Sequence, residues 1–476
     1  MRNGSAVRLA ACLAVAGAAA CGDFLTSDRV SRDPNNPSAA TADQLFVAVQ
    51  ASQFAQQEGI IALIACMWMQ QCTGTSNFLQ VLEQYGITSE DVAFPAFSAI
   101  YEGGGLVDIR QVEAVKAADG DQLYLGIAQL WEVMIMSVAA DIYGDVPYRE
   151  AAGDVATPVL DPQAQVYGDL QALLDEAIAN LGGAGPGPGS LDLVFEGNAA
   201  KWIEAANTLK ARLYMHTVER DNNQIDNAAL TNAVTYALLG ISDPANDLAS
   251  RHSAQPGEDN MWYQFKARSG FGNFVVAGRA LVDLMVARGD PRLPEFFGPS
   301  DPGPYGGLDP FGGRSPGGAN TVSLLEGTRN VPAFSQPIVT YIENELILAE
   351  AYYRLGQTAE AQTHFDNARA SVPGGGLGAK TIASIDDVME EKYVAMFQNI
   401  EVWNDYKRSC YPAITPVPTA AFGDMVPGRL FYGTSEANAN PNVPARSVQL
   451  QVGGHAVSTP PANPGFRNPN DPNPCP

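Results

Sequence analysis

Apolar positions recur every three or four residues over much of this chain, which predicts a mostly α protein. The clearest stripe runs through Leu123, Ile127, Leu130, Trp131, Met134 and Val138. Gly144 and Pro147 stop that pattern and fold Tyr143, Asp145 and Tyr148 into a turn, so the reading is a core helix ending in a rigid aromatic corner. A helix near Thr41 keeps helical spacing at Leu45, Phe46, Val49 and Phe54. The apolar run 60–69 is too short to span a bilayer and reads as a buried helix, and no other segment reads as long enough. A pattern over 94–115 is interrupted by Gly103, Gly104 and Gly105. Further helices are predicted over 167–181 (Leu170, Leu174, Ala177) and 198–219 (Trp202, Ala206, Leu209, Leu213).

Residues 338–370 carry two helix patterns flanking Leu355-Gly356, with Ala349, Tyr352, Ala361, Phe365 and Ala368 spaced as in a tetratricopeptide hairpin. One such pair cannot bury its own face, so the other long helices are expected to stack on it. Ser384 and Asp387 form a capping box before a stripe from Met389 through Tyr393, Phe397, Ile400 and Trp403, read as one helix over 384–408. Between these patterns lie a polar loop at 70–78, an aperiodic stretch at 242–274, and a Pro/Gly-rich loop at 298–318; loops this long in a compact protein are usually functional or disordered.

Composition narrows the chemistry. The 476 residues are 46% hydrophobic and 17% charged, enough for a large core, and the net charge is −24. An acidic chain without a basic cluster is not built to hold nucleic acid, anionic headgroups or polyanions, whereas sugars and peptides remain open. Residues 1–20 read as a processing signal: Arg2 and Arg8 precede an apolar, small-residue run ending in Ala18-Ala19-Ala20 before Cys21. Small residues before a cysteine resemble a bacterial lipobox, with Ala18 standing where leucine is usual; an ordinary cleaved secretory signal is the alternative. Lipidation of Cys21 would give a stable anchor, and residues 21–40 would then be a polar tether to a single domain over 41–476. Cys66, Cys72, Cys410 and Cys475 would remain. Four cysteines allow three pairings; Cys66 and Cys72 are near enough to pair, leaving Cys410 for Cys475. The four histidines are scattered, and neither a metal nor a cofactor is called for.

Several segments carry a family resemblance. Residues 141–148 closely resemble the YGDVPY turn of the SusD/RagB outer-membrane lipoproteins. Residues 209–214 resemble that family's LKARL helix, 402–412 its W-x-D-x-R-R-x-x-Y-P segment, and 429–432 with 436–442 its closing element. Together with Cys21 these matches keep the family order and cover most of the chain, nearest the divergent SusD-like branch. The resemblance implies tetratricopeptide-like helix pairs forming a scaffold, with long irregular loops on the opposite face. It further implies a surface-exposed, lipid-anchored outer-membrane protein that binds an oligosaccharide, with peptide as the alternative, and delivers it unchanged to a SusC-like TonB-dependent transporter. A helical-repeat scaffold lipoprotein of a surface complex is the second reading, and a lipid-anchored hydrolase the third.

No motif argues for catalysis. Residues 313–317 fit GxSxG by letter, but Pro316 has no N–H to offer an oxyanion and the surroundings are loop. Sugars present apolar faces to aromatic rings and hydroxyls to amides and charges. Two loop-borne sets offer both: Trp68, Gln71, Asn77 and Phe78 in the first loop, and Asn260, Trp262, Tyr263, Gln264 and Arg268 in the aperiodic stretch. Core packing of helix ends is the competing reading for Trp68 and Phe78. Tyr143, Gly144, Asp145, Pro147 and Tyr148 are expected to be structural, and Asp405 with Arg408 to form an internal ion pair.

Overall fold

A computed structural model of the chain describes residues 40–86, 97–220, 224–267, 272, 274–300, 303–316, 322–418 and 426–444. The signal, Cys21, most of the tether, Arg268, Cys475 and the Asn/Pro-rich tail lie outside the described residues. The elements follow in order as helices α1 (Ala42–Phe54) and α2 (Ile61–Trp68), strand β1 (Cys72–Gly74), and helices α3 (Asn77–Glu83), α4 (Leu106–Asp119), α5 (Gln122–Tyr143), α6 (Gln163–Leu181) and α7 (Ala199–Met215). Strands β2 (Glu219–Arg220) and β3 (Gln224–Ile225) lead to α8 (Asn227–Ala237), β4 (Leu248–Ser250), α9 (Met261–Ala267), β5 (Val275–Ala277), α10 (Arg279–Arg288) and α11 (Leu293–Phe296). The described chain closes with β6 (Gln336–Val339), α12 (Tyr341–Arg354), α13 (Thr358–Ala370), α14 (Ile385–Ala395), α15 (Glu401–Ser409) and α16 (Thr434–Ala439).

The long helices pack as successive neighbours, α1 on α4, α4 on α5, α5 on α6, α6 on α7, α7 on α8, α8 on α12 and α12 on α13. That is the expected tetratricopeptide-like stacking. The α12–α13 pair turns at Gly356, whose φ of 78° is open to glycine. It buries Ala349, Phe365 and Ala368 against Val388 of α14. Several helix starts are capped by side chains that accept otherwise orphaned N–H groups, among them Asp121 from Tyr124, Asn198 from Lys201 and Thr340 from Glu343.

Gly126 lets the backbone of α6 close in on α5. A Cβ at residue 126 would stand 2.8 Å from the Leu181 nitrogen and 2.9 Å from the Ala177 oxygen. Backbone cannot step aside as a side-chain tip can, so Gly126→Ala is expected to cost about 1–3 kcal/mol of stability in urea unfolding. An unchanged midpoint would mean that α6 can move.

Sequence expectation and structure part in four places. The predicted helix over 384–408 is two helices, because Gln398 adopts a φ of 64° and residues 396–400 turn so that Phe397 stacks on Phe296, 4.4 Å between centroids. The pattern over 94–115 becomes a 3-10 turn (Phe97–Ile100) and then α4, with the glycines as the break. The aperiodic stretch contains β4 and α9, elements too short to show a period. Finally, α5 is long and apolar enough to cross a bilayer by length and composition, contrary to the sequence reading, yet most of it is buried among its neighbours as a core helix.

Cys66 and Cys72 form a disulfide with Cα atoms 5.4 Å apart, and Cys410 is also disulfide-bonded. Three two-stranded antiparallel pairings (β1–β5, β2–β3, β4–β6) tie loops together rather than forming a sheet layer.

Candidate functional site

The turn after α5 anchors the C-terminal part of the described chain. Gly144 takes a φ of 82° and closes the helix by donating to the Ala140 carbonyl at 2.9 Å. Each member of the turn then has its own partner. Tyr143 stacks on Tyr432, 6.0 Å between centroids, and the Tyr432 hydroxyl donates to the Asp145 carbonyl at 2.6 Å. The Asp145 carboxylate accepts from the Gln163 N–H at 2.9 Å, and the Pro147 carbonyl from the Tyr101 hydroxyl at 2.9 Å. Tyr148 donates to Glu132 at 2.9 Å, while Arg110 lies over its ring at 4.9 Å. Every tyrosine and carboxylate here is spent internally, so the turn is a clasp.

Near the clasp, Asp141, His216 and Glu401 place ligand-type atoms within 4.8 Å of one another. Scattered in sequence, His216 is not isolated in space. Its Nδ1 lies 3.1 Å from Asp141 and its Nε2 2.8 Å from Glu401. Burial works against charging the ring, but Asp141 first and Glu401 next raise its pKa to about 9. A carboxylate faces each ring nitrogen, so the three side chains form an ion triad. It is extended by Tyr167 donating to Asp141 at 2.6 Å and by Arg212 paired with Glu343 at 2.6 Å. The expected Arg408–Asp405 pair is present at 2.5 Å, and Arg408 also pairs with Glu350.

The candidate site is a cleft of about 560 Å³ on the loop-bearing flank of α1. Its apolar floor is Val47, Ala51 and Phe54 of α1, joined by Leu193 and Met261. One wall comes from a π-helical turn, Ala55–Ile60, inserted between α1 and α2. Such turns redirect side chains by one extra residue and are frequent at functional sites. Here the insertion turns Glu58 inward to 2% exposure.

Glu58 meets His252 at 2.6 Å and also accepts from the Ser250 hydroxyl. The other ring nitrogen of His252 faces the Glu258 carbonyl at 3.0 Å, which can only accept. Both ring nitrogens therefore carry protons. Burial pushes the ring toward neutrality, but the hydrogen bond and charge of Glu58 outweigh it and hold its pKa above the ordinary value. Serine, histidine and glutamate meet here, but not as a nucleophilic triad: Ser250 is fully buried, and the acid sits on the nitrogen that would have to take the serine proton.

The rest of the lining is polar. Arg251 pairs with Glu196 at 2.8 Å at the exposed rim, and Glu258 accepts from the Ser253 hydroxyl at 2.6 Å. Asp192 organises the opposite loop, accepting from the N–H groups of Val194, Phe195 and Gly197 and from the Trp202 indole.

The residues singled out from sequence fall mostly elsewhere. Trp68 is 1% exposed, donates to the Leu82 carbonyl at 2.9 Å and meets Trp403 edge-on at 4.9 Å. Gln71 is buried and donates to the Tyr393 carbonyl at 2.6 Å. Asn77 is exposed and Phe78 half-buried at the start of α3. Asn260 caps α9, its side-chain oxygen accepting from the N–H groups of Trp262 and Tyr263. Trp262 is buried over Leu63, Val275 and Leu325, and Tyr263 is half-buried. Among the described members of the two sets, only Gln264 lines the cleft. The strand pair β1–β5 and the Thr73 bond to the Leu308 carbonyl at 2.7 Å bring the first loop against the Pro/Gly loop. Ser315 of the GxSxG letters accepts from the Gly307 N–H at 2.8 Å within that loop. Glu58, Arg251, His252 and Glu258 were not singled out; the one local hint was a carboxylate and a glycine just before a buried apolar run.

The protein is thus a stacked helical scaffold carrying a loop-walled cleft. The chain belongs to the SusD-like family described as "Starch-binding associating with outer membrane", whose model matches residues 34–372. Solved structures agree on the fold. A SusD/RagB family protein from Bacteroides thetaiotaomicron superposes with a TM-score of 0.67 at 20% identity, over 89% of this chain and 98% of that one. A chitin-binding SusD homologue from Flavobacterium johnsoniae gives 0.67 at 19% identity, over 89% and 98%. A second Bacteroides thetaiotaomicron protein, described as SusD-like, gives 0.66 at 21% identity, over 91% and 98%. Comparison with curated proteins returns no match.

Proposed function

We propose that this protein captures oligosaccharide, with peptide as the alternative ligand, in the cleft between α1 and the loops at 190–196 and 251–261. From there it would pass the ligand unchanged to a SusC-like TonB-dependent transporter at the outer membrane. The observation that carries this is the cleft itself: an apolar floor beneath hydroxyl, amide and charged groups, of a volume suited to a few sugar rings. The family description supports the carbohydrate class and the outer membrane. Anchoring through Cys21 with the cleft facing outward completes the reading. Among the described lining residues Phe54, 5% exposed, is the only phenylalanine, tyrosine or tryptophan, so a sugar's apolar face would rest on Val47, Ala51 and Met261 instead of on a stacked ring. Trp68, Gln71, Asn77, Phe78, Trp262 and Tyr263 would then support the loops more than touch the ligand.

The test is a thermal-shift series with chitin, starch and peptide fragments on the domain from residue 41. A ligand at about 100 times its Kd should add about 2.7 kcal/mol of stability. Ala51→Trp would fill the cleft from an exposed helix position, and it should abolish that shift while the unliganded Tm stays within a few degrees. A shift that survives Ala51→Trp would move the site elsewhere, and no shift from any ligand would sink the capture reading.

A further inference from the structure

The cleft is unevenly charged, and the imbalance selects a ligand class. Its lining holds five carboxylates, Glu58, Asp192, Glu196, Glu258 and Asp259, against the cations Arg251 and His252. Counting His252 as the imidazolium that its two acceptors require, the walls carry three more negative charges than positive ones. Three carboxylates are committed to the fold: Glu58 to Ser250 and His252, Asp192 to four N–H groups, and the buried Asp259 to the Gly257 N–H. Glu196 and Glu258 stand exposed at the rim, where each has one oxygen engaged, by Arg251 and by Ser253 respectively.

A wall of this sign repels uronates and sulfated sugars and attracts an ammonium, and partial exclusion of water from a cleft strengthens both effects relative to bulk solvent. Resting on the proposed cleft, we infer that its preferred ligand is an oligosaccharide bearing free amino groups, held by Glu258 and Glu196 over the apolar floor. N-acetylated or plain hexose chains would bind more weakly, and acidic chains least. The committed pair Glu58–His252 keeps its own charges together, so the rim carboxylates set the preference.

The experiment is calorimetry with three probes of matched length, glucosamine, N-acetylglucosamine and galacturonate oligomers, at about pH 6, where a sugar amine is protonated. The glucosamine oligomer should bind about tenfold tighter than its acetylated form at low salt, an advantage that shrinks as salt screens it. Galacturonate should bind at least tenfold more weakly than either. In Glu258→Gln/Glu196→Gln the ratio between the amine and acetylated probes should fall to about one. Equal or reversed affinities in the native protein, with binding still lost in Ala51→Trp, would overturn the charge inference and leave the cleft as the site. Affinities unmoved by Ala51→Trp, or no binding of any probe, would overturn the site and the inference with it.

Discussion

His216→Ala is expected to destabilise the protein by about 3–5 kcal/mol, because it removes the cation shared by two buried carboxylates. Asp141 and Glu401 are 2% exposed each, and the imidazolium between them touches both. His216 and Arg212 hold the Glu401 carboxyl well below the usual carboxylate range, against the effect of burial. Removing the ring leaves Arg212, at 3.9 Å from Glu401, and the buried Lys392 as cations acting on that carboxylate. Urea unfolding at neutral pH measures the loss; a change under about 1 kcal/mol would mean that the carboxylates take up protons or water in place of the ring. The same triad gives stability a pH dependence. The folded pKa of His216, about 9, lies above the value near 6.5 of an unfolded histidine. Its contribution is therefore fully present below about pH 6.5 and lost as pH rises toward about 9, by about 3 kcal/mol across that window. In His216→Gln that part of the alkaline loss should vanish, which a pH series of unfolding midpoints would show.

Trp68→Ala should cost about 3–5 kcal/mol and leave the affinity of the remaining folded protein for cleft ligands unchanged. The indole is packed edge-on between Trp403, at 4.9 Å, and Tyr85, at 5.5 Å, and donates to the Leu82 carbonyl. Truncation opens a cavity where α2 meets α15 and removes one donor from the Leu82 carbonyl, which keeps the Tyr85 N–H at 3.0 Å. Because Trp68 lies outside the cleft lining, stability and affinity should separate. A variant of native stability with weakened ligand binding would return Trp68 to the ligand surface, where the sequence reading placed it.

That contrast shows how far local pattern reaches. The helices of the scaffold were legible because their largest apolar residues recur at the helical period, although only α13 buries a single stripe, Ala361 to Ala368, while α5 and most of α7 are buried on every face. The clasp was legible because only glycine takes the φ of 82° that ends α5 without strain, and proline cannot continue a helix. Burial of the loop aromatics was not legible: Trp68 and Trp262 look like sugar platforms by composition, yet both rings are buried, because a large ring beside a polar loop gains by leaving water.

The sequence by itself determined the helix periods, the stops, the acidic balance and the motifs that mark the family, since each depends on neighbours within a turn or two of chain. Only the tertiary structure decided which charges meet. Glu58 and His252, like Asp141, His216 and Glu401, are far apart in the chain and become partners only when α1, α5, α7, α15 and the loop at 251–261 converge. A buried charge is stable only beside its counter-ion, so these pairings are properties of packing, written in no local pattern.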